Sequence, residues 1–180
     1  ALATWANAVT IARLVLSPVL VALIVGRDNP ASWPALVLWI ALAATDGVDG
    51  WLARRHGTTR SGAFLDPLAD KVLVLSALAA LAASGRFWWF PVALIAIREI
   101  GISMFRSYWG SRGLAVPATK SAKVKMVMQD LAVGFALLPS LDDSSRLADG
   151  LLWAAVGLTL VTGIQYLQAG SRSTRTSGSA

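Results

Sequence analysis

The chain has 180 residues, of which 56% are hydrophobic and only 14% charged, and its formal net charge is +6. An ordinary soluble domain carries about 25% charged residues, and here the mean hydropathy is +0.61. These values exclude intrinsic disorder, which needs low hydrophobicity and high charge. They also argue against a water-soluble globule, because a small domain keeps much of its surface wet. The chain has no cysteine, which excludes disulfide scaffolds, zinc-thiolate sites, iron–sulfur clusters and cysteine nucleophiles. The single histidine, His56, cannot build a multi-histidine metal site, whereas carboxylates could still bind a hard cation.

A membrane-spanning helix needs about 20 mostly apolar residues. Six stretches qualify, over about 7–26, 32–53, 63–83, 87–108, 121–139 and 147–167. Turn-forming residues separate them, including Asn29-Pro30 and Ser84-Gly85-Arg86. The expected fold is therefore an all-α, polytopic bundle of six transmembrane helices. Residues 1–168 are expected to form one transmembrane domain, and the Ser-, Thr-, Gly- and Arg-rich residues 169–180 read as a flexible tail. Trp5, Val9 and Ala12 fit one face of an interfacial helix ahead of the first span, and equally the start of that span itself. No small-residue cleavage site follows the first apolar run, so no cleaved leader is expected.

Basic residues set the topology. With the N-terminus inside, the outer loops hold Arg27, Arg86 and Arg146, and the other basic residues fall at or near cytoplasmic ends. Both termini are then cytoplasmic, and the positive charge reflects topology rather than a nucleic-acid partner. The outer side carries Asp28, Asp142, Asp143 and Asp149. Trp33, Trp88, Trp89 and Trp153 lie near outer helix ends, where indole rings favour the membrane interface.

Between residues 46 and 70 stand four carboxylates. Asp46 and Asp49 are three apart and Asp66 and Asp70 four apart, so each pair shares a helix face. A short connection makes the second and third spans antiparallel neighbours, which brings both pairs together at the cytoplasmic end. One charge at the bilayer centre costs about 2.5–3.5 kcal/mol on insertion scales, so four near its edge need compensation. Ion pairs with Lys71 and Arg54 are one solution. Gly50 and Ala53 leave room beside the acids, which favours divalent ions with oxygen ligands, Mg²⁺ or Mn²⁺. Two such ions can clamp an in-line displacement at phosphorus.

The stretch resembles the signature of the CDP-alcohol phosphotransferase family. That pattern reads Asp, two residues, Asp-Gly, two residues, Ala-Arg, a variable gap, then Gly, three residues, Asp, three residues, Asp. Asp46, Asp49, Gly50, Ala53, Arg54, Gly62, Asp66 and Asp70 match every defined position. The gap between Arg54 and Gly62 is seven residues, one shorter than in close relatives. The resemblance implies two metal ions held by Asp46, Asp49, Asp66 and Asp70, with Asp70 also the general base. It places Gly50, Ala53 and Arg54 along the CDP site. Residues 7–13 resemble the family's opening motif, so Thr10 and Arg13 are expected at the nucleotide or metal end. An alcohol deprotonated by Asp70 would attack the phosphorus bearing the lipid, and CMP would leave. The family also implies a homodimer.

The second half narrows the acceptor. Arg98 and Glu99 lie inside an apolar helix, and Arg106 follows Glu99 by seven residues on the same face. Lys120, Lys123 and Lys125 gather at the start of the fifth span. Lys120 reads as a topology charge, and Arg106, Lys123 and Lys125 as ligands for an anionic phosphate. Glu99 pairs with Arg98 and stands behind the phosphate ligands, positioning Arg106 or Lys123. Residues 5–168 resemble bacterial family members whose donor is CDP-diacylglycerol and whose acceptor is sn-glycerol 3-phosphate; Met126 stands where close relatives carry Thr. Members with an inositol phosphate or a lipid as acceptor are same-family alternatives. A membrane ion transporter is the alternative of another class, since intramembrane acids mark ion paths. Against it, no matching acids line the outer halves of the spans.

Overall fold

A computed structural model describes residues 2–26, 28–56, 62–111, 120–139 and 144–176, with side chains over 9–26, 28–45, 68–105, 107–108, 124–139 and 146–164. It contains α1 (Leu2–Val25), α2 (Trp33–His56), α3 (Gly62–Ala83), α4 (Trp89–Ser111), α5 (Lys120–Leu137) and α6 (Ser144–Thr176). No strand occurs among the described residues. The helices fall where the apolar stretches predict them. Residues 5–13 lie within the unbroken helix α1, in line with one of their two readings. One difference stands at the other end of the chain. The stretch expected as a tail begins as helix, because α6 runs on to Thr176.

The helix ends have local causes. Gly85, at φ 77°, is the left-handed residue that closes α3. Around it the Arg86 amide donates to Leu81 O at 2.9 Å and the Gly85 amide to Ala82 O at 3.1 Å. This is the paired bonding of a Schellman cap, which satisfies carbonyls a helix end leaves open. Between α1 and α2, Asn29 Oδ1 accepts from the Ala31 amide at 2.9 Å, an Asx turn. The Ser32 carbonyl then accepts the first helical bond of α2, from Leu36. Pro18 sits inside α1. The carbonyl of Arg13 just upstream receives an extra bond from Ser17 Oγ at 2.7 Å, an example of side-chain support for a helix backbone in an apolar setting.

α1 packs on both α2 and α3, α5 on α6, α4 on α3 and α6, and α5 also touches α2 and α3. Leu73, Leu78, Leu81, Ile95, Val133, Leu137 and Leu152 form the large members of the core. Alanines at 132 and 136 on α5 and at 148 and 155 on α6 are buried, and small residues let helix backbones approach closely.

Among the described residues, many large apolar side chains face outward from the bundle. Ile11, Val15 and Val19 form an exposed stripe on α1, and Val37 and Ile40 one on α2. Ile97, Ile100 and Met104 do the same on α4, Val127 and Leu131 on α5, and Leu160, Val161 and Ile164 on α6. Ile97 is 70% exposed. Apolar patches of this extent mark a surface meant for something other than water. Among the described residues, Arg146–Ile164 is long and apolar enough by itself to cross a membrane, and Val9–Val25 and Trp33–Thr45 are shorter apolar segments. At one end of the bundle Trp88 stacks near Phe90 and Trp153, at centroid distances of 5.3 and 6.4 Å. Arg86 and Asp149 pair there at 3.5 Å.

Candidate catalytic site

The buried face of α1 changes character along its length. Thr10, Arg13 and Ser17 are buried on one face, and Leu20 and Ile24 continue that face as core toward the C-terminal end. Arg13 is 1% exposed, an unusual setting for a guanidinium, which is seldom buried without partners. Its Nη2 approaches Thr45 Oγ1 at 3.5 Å. Thr45 in turn donates to Leu42 O at 2.7 Å, which leaves its lone pairs for Arg13. Thr45 immediately precedes Asp46. The packing of α1 on α2 thus carries Arg13 to the start of the aspartate motif, although the two are far apart in sequence.

Asp46, Asp49, Gly50, Ala53 and Arg54 lie within α2, and Asp66 and Asp70 within α3. Both stretches are continuous helix, but the direct packing of α2 on α3 that the sequence reading expects is not among the principal helix contacts of the described residues; both helices pack on α1 instead. Of these residues Asp70 has a described side chain, and it is half-buried. The side chains of the others, and those of Arg106 on α4 and Lys123 on α5, lie outside the described residues.

A second polar centre joins four helices around Glu99, which is 6% exposed. Its Oε1 accepts from Arg98 Nη1 at 2.8 Å and from the ammonium of Lys125. Lys71, from α3, stands 3.8 Å from Oε2 and donates to Ser103 Oγ. Ser103 donates back to the Glu99 carbonyl at 2.6 Å, so the α4 backbone turn and its side chain are tied to the same lysine. Arg98 Nη2 reaches across to Thr162 Oγ1 on α6 at 2.7 Å. Burying a charge is costly unless it is paired and hydrogen-bonded. Glu99 meets that condition for cations from α3, α4 and α5 at once. Gln129, one turn beyond Lys125 on α5, is also buried, and its Nε2 has no hydrogen-bond partner.

The sequence reading pairs Glu99 with Arg98, and the two are paired. Its expectation that Glu99 positions Arg106 or Lys123 falls on side chains outside the described residues; beside Arg98, the described cations on Glu99 are Lys125 and Lys71. Lys125 is 2% exposed and lies at the heart of this centre. Thr45, Ser103 and Thr162 were not among the expected site residues. The one signal for them is a hydroxyl in an otherwise apolar helix, which many spans carry without consequence.

An apolar groove of about 410 Å³ runs between α2 and α5, lined by Leu36, Trp39, Ile40, Ala43, Ala44, Leu131, Phe135 and others. Trp39 closes its floor, with Nε1 donating to Asp130 O at 3.2 Å. Its α2 wall reaches Ala44, two residues before Asp46.

The sequence model of the CDP-alcohol phosphatidyltransferase family matches residues 3–161, nearly the whole helical bundle. The chain belongs to this family. It is 38% identical over 171 residues to a Mycobacterium tuberculosis protein named "Probable phosphatidylglycerophosphate synthase", covering 92% of this chain and 81% of that one. It is 37% identical over 174 residues to a CDP-diacylglycerol–glycerol-3-phosphate 3-phosphatidyltransferase of Sodalis glossinidius, covering 92% of each. A Yersinia pestis protein of the same name is 39% identical over 176 residues, again covering 92% of each. In this CDP-alcohol phosphatidyltransferase the motif aspartates stand on α2 and α3, and the buried cations among the described residues are Arg13 on α1 and Lys125 on α5.

Proposed function

We propose that this enzyme transfers the phosphatidyl group of CDP-diacylglycerol to a hydroxyl of sn-glycerol 3-phosphate, giving phosphatidylglycerol phosphate and CMP. The observation that carries this reading is the identity of 37% to 39%, across 92% of the chain, to proteins named for that synthesis. It works as six spans in the bacterial cytoplasmic membrane, as a homodimer, with both termini and the active site on the cytoplasmic side. The apolar outer faces of the helices and the aromatic cluster beside Trp88 support the membrane setting.

Asp46, Asp49, Asp66 and Asp70 form an all-oxygen donor set on two continuous helices that both pack on α1. Such a set fits hard divalent cations, and these residues would hold two Mg²⁺ or Mn²⁺ ions. When bound, the ions supply charge neutralisation and orientation at the pyrophosphate. Asp70 accepts the proton of the acceptor hydroxyl. The hydroxyl oxygen bonds to the lipid-bearing phosphorus as the bond from that phosphorus to CMP breaks. Gly50, Ala53, Arg54, Thr10 and Arg13 bind the CDP group, and the approach of Arg13 to Thr45 supports its place beside the motif. The α2–α5 groove receives an acyl chain of the donor, in keeping with its apolar lining and its nearness to Asp46. Arg106, Lys123 and Lys125 hold the acceptor phosphate, with Arg98 and Glu99 behind them.

Purified enzyme supplied with CDP-diacylglycerol and Mg²⁺ is expected to release CMP when sn-glycerol 3-phosphate is added. Release with an inositol phosphate or with phosphatidylglycerol instead would replace the acceptor. The Asp66→Asn variant is expected to lose metal-dependent transfer by more than about 10²-fold, the scale of losing oriented charge stabilisation. Normal turnover in that variant would sink the metal assignment.

A further inference from the structure

Behind the groups that touch substrate, the geometry points to Thr162 of α6 as a positioning residue for the acceptor-phosphate cations, acting through Arg98 and Glu99 on Lys125. The inference rests on the reading of Lys125 as a phosphate ligand. Thr162 is fully buried. Its hydroxyl proton goes to the backbone of its own helix, to Leu158 O at 2.8 Å or Thr159 O at 3.1 Å. The oxygen is thereby turned to accept, and it takes Arg98 Nη2 at 2.7 Å. With Nη2 anchored there, Nη1 of the same rigid guanidinium meets Glu99 Oε1 at 2.8 Å.

The α6 backbone adds a second restraint. A Cβ built on Gly163 would stand 3.7 Å from Arg98 Cγ and 3.8 Å from its Nε, so the arginine stem lies along the helix at this glycine. Arg98 is therefore held by α6 at its stem and at its tip. Glu99 Oε1 is shared between Arg98 and Lys125. A carboxylate that spends part of its charge on a fixed guanidinium binds a neighbouring ammonium less tightly. Without the Thr162 acceptor the guanidinium stays paired with Glu99 but loses the anchor that fixes Nη1 on Oε1, so that hydrogen bond slackens. Glu99 then turns its charge onto Lys125, and the ammonium becomes less available to a phosphate.

Steady-state kinetics in detergent micelles test this with Thr162→Val, which keeps the shape and removes the acceptor, and Thr162→Ser, which restores the hydroxyl. Thr162→Val is expected to raise KM for sn-glycerol 3-phosphate about tenfold, the scale of one charge-assisted hydrogen bond. KM for CDP-diacylglycerol should stay within about twofold, and Thr162→Ser should return close to the parent enzyme. An unchanged acceptor KM, an equal rise in both KM values, or a Thr162→Ser variant as impaired as Thr162→Val overturns the inference. If Thr162→Val does not yield folded enzyme, Thr162→Ala carries the same expectation, and loss of the fold in both makes the residue structural and overturns it. Lys125→Gln separates this from the underlying reading. If that variant leaves the acceptor KM untouched, Lys125 is not a phosphate ligand. If it raises the acceptor KM while Thr162→Val does not, the ligand stands and the positioning role falls.

Discussion

Arg86–Asp149 and Arg98–Glu99 are both arginine–carboxylate pairs, yet they occupy opposite settings. The first joins the α3–α4 turn to α6 at 3.5 Å, with the Asp149 side chain 54% exposed. The second lies inside the bundle at 2.8 Å, with side chains 11% and 8% exposed. Water competes for the outer pair, so its net contribution is small. The inner pair has no water to fall back on, and breaking it strands charge. Their difference shows that here an ion pair's weight is set by its surroundings and by how many partners share it, more than by the residues themselves.

Substitutions can break or sharpen that contrast. The largest effect is expected for Glu99→Ala, which leaves the Arg98, Lys125 and Lys71 cations around an empty place. Chemical unfolding in micelles should show a loss of about 3–5 kcal/mol. Adding Lys125→Met to that variant should recover part of the loss, because it removes one stranded charge and keeps the volume; further loss would mean the cluster is not electrostatic in origin. Lys125→Ala alone should cost less, about 2–3 kcal/mol, because Glu99 keeps Arg98 and Lys71. Gly85→Ala should cost about 1 kcal/mol, since a side chain strains the left-handed turn although open space surrounds it. Arg86→Ala is the smallest, under about 1 kcal/mol, and its effect should fade toward 1 M salt as screening shortens the range of the pair. Equal losses for Arg86→Ala and Glu99→Ala would erase the contrast.

The aspartate motif and the Glu99 centre also differ in how they can be found. Asp46, Asp49, Asp66 and Asp70 are written at helical spacing in one short stretch, so local periodicity alone displays them. The Glu99 centre draws on residues 71, 98, 99, 103, 125 and 162, which no local rule connects. Arg98 beside Glu99 suggests an ion pair, and that much was legible. That Lys71 turns to Ser103 and Glu99, and that Lys125 is buried against Glu99, depends on how α3, α4, α5 and α6 pack. The contact of Arg13 with Thr45 is of the same kind, since it exists only because α1 lies on α2. The helix boundaries were legible where a strong stop stands, as at Gly85. They were not at the end of α6, where Gly170 reads as a stop and the helix runs on through it to Thr176.

By itself the sequence determined the all-helical class, the positions of six helices and the aspartate motif, because apolar runs and i, i+3 or i+4 spacing are local properties of a chain. The tertiary structure decided which cations share a carboxylate, how α6 reaches Arg98 and where an apolar groove opens between α2 and α5. Those follow from the rotation and depth at which helices settle against one another. Side-chain volumes across the whole core set these quantities, and no single stretch of residues contains them.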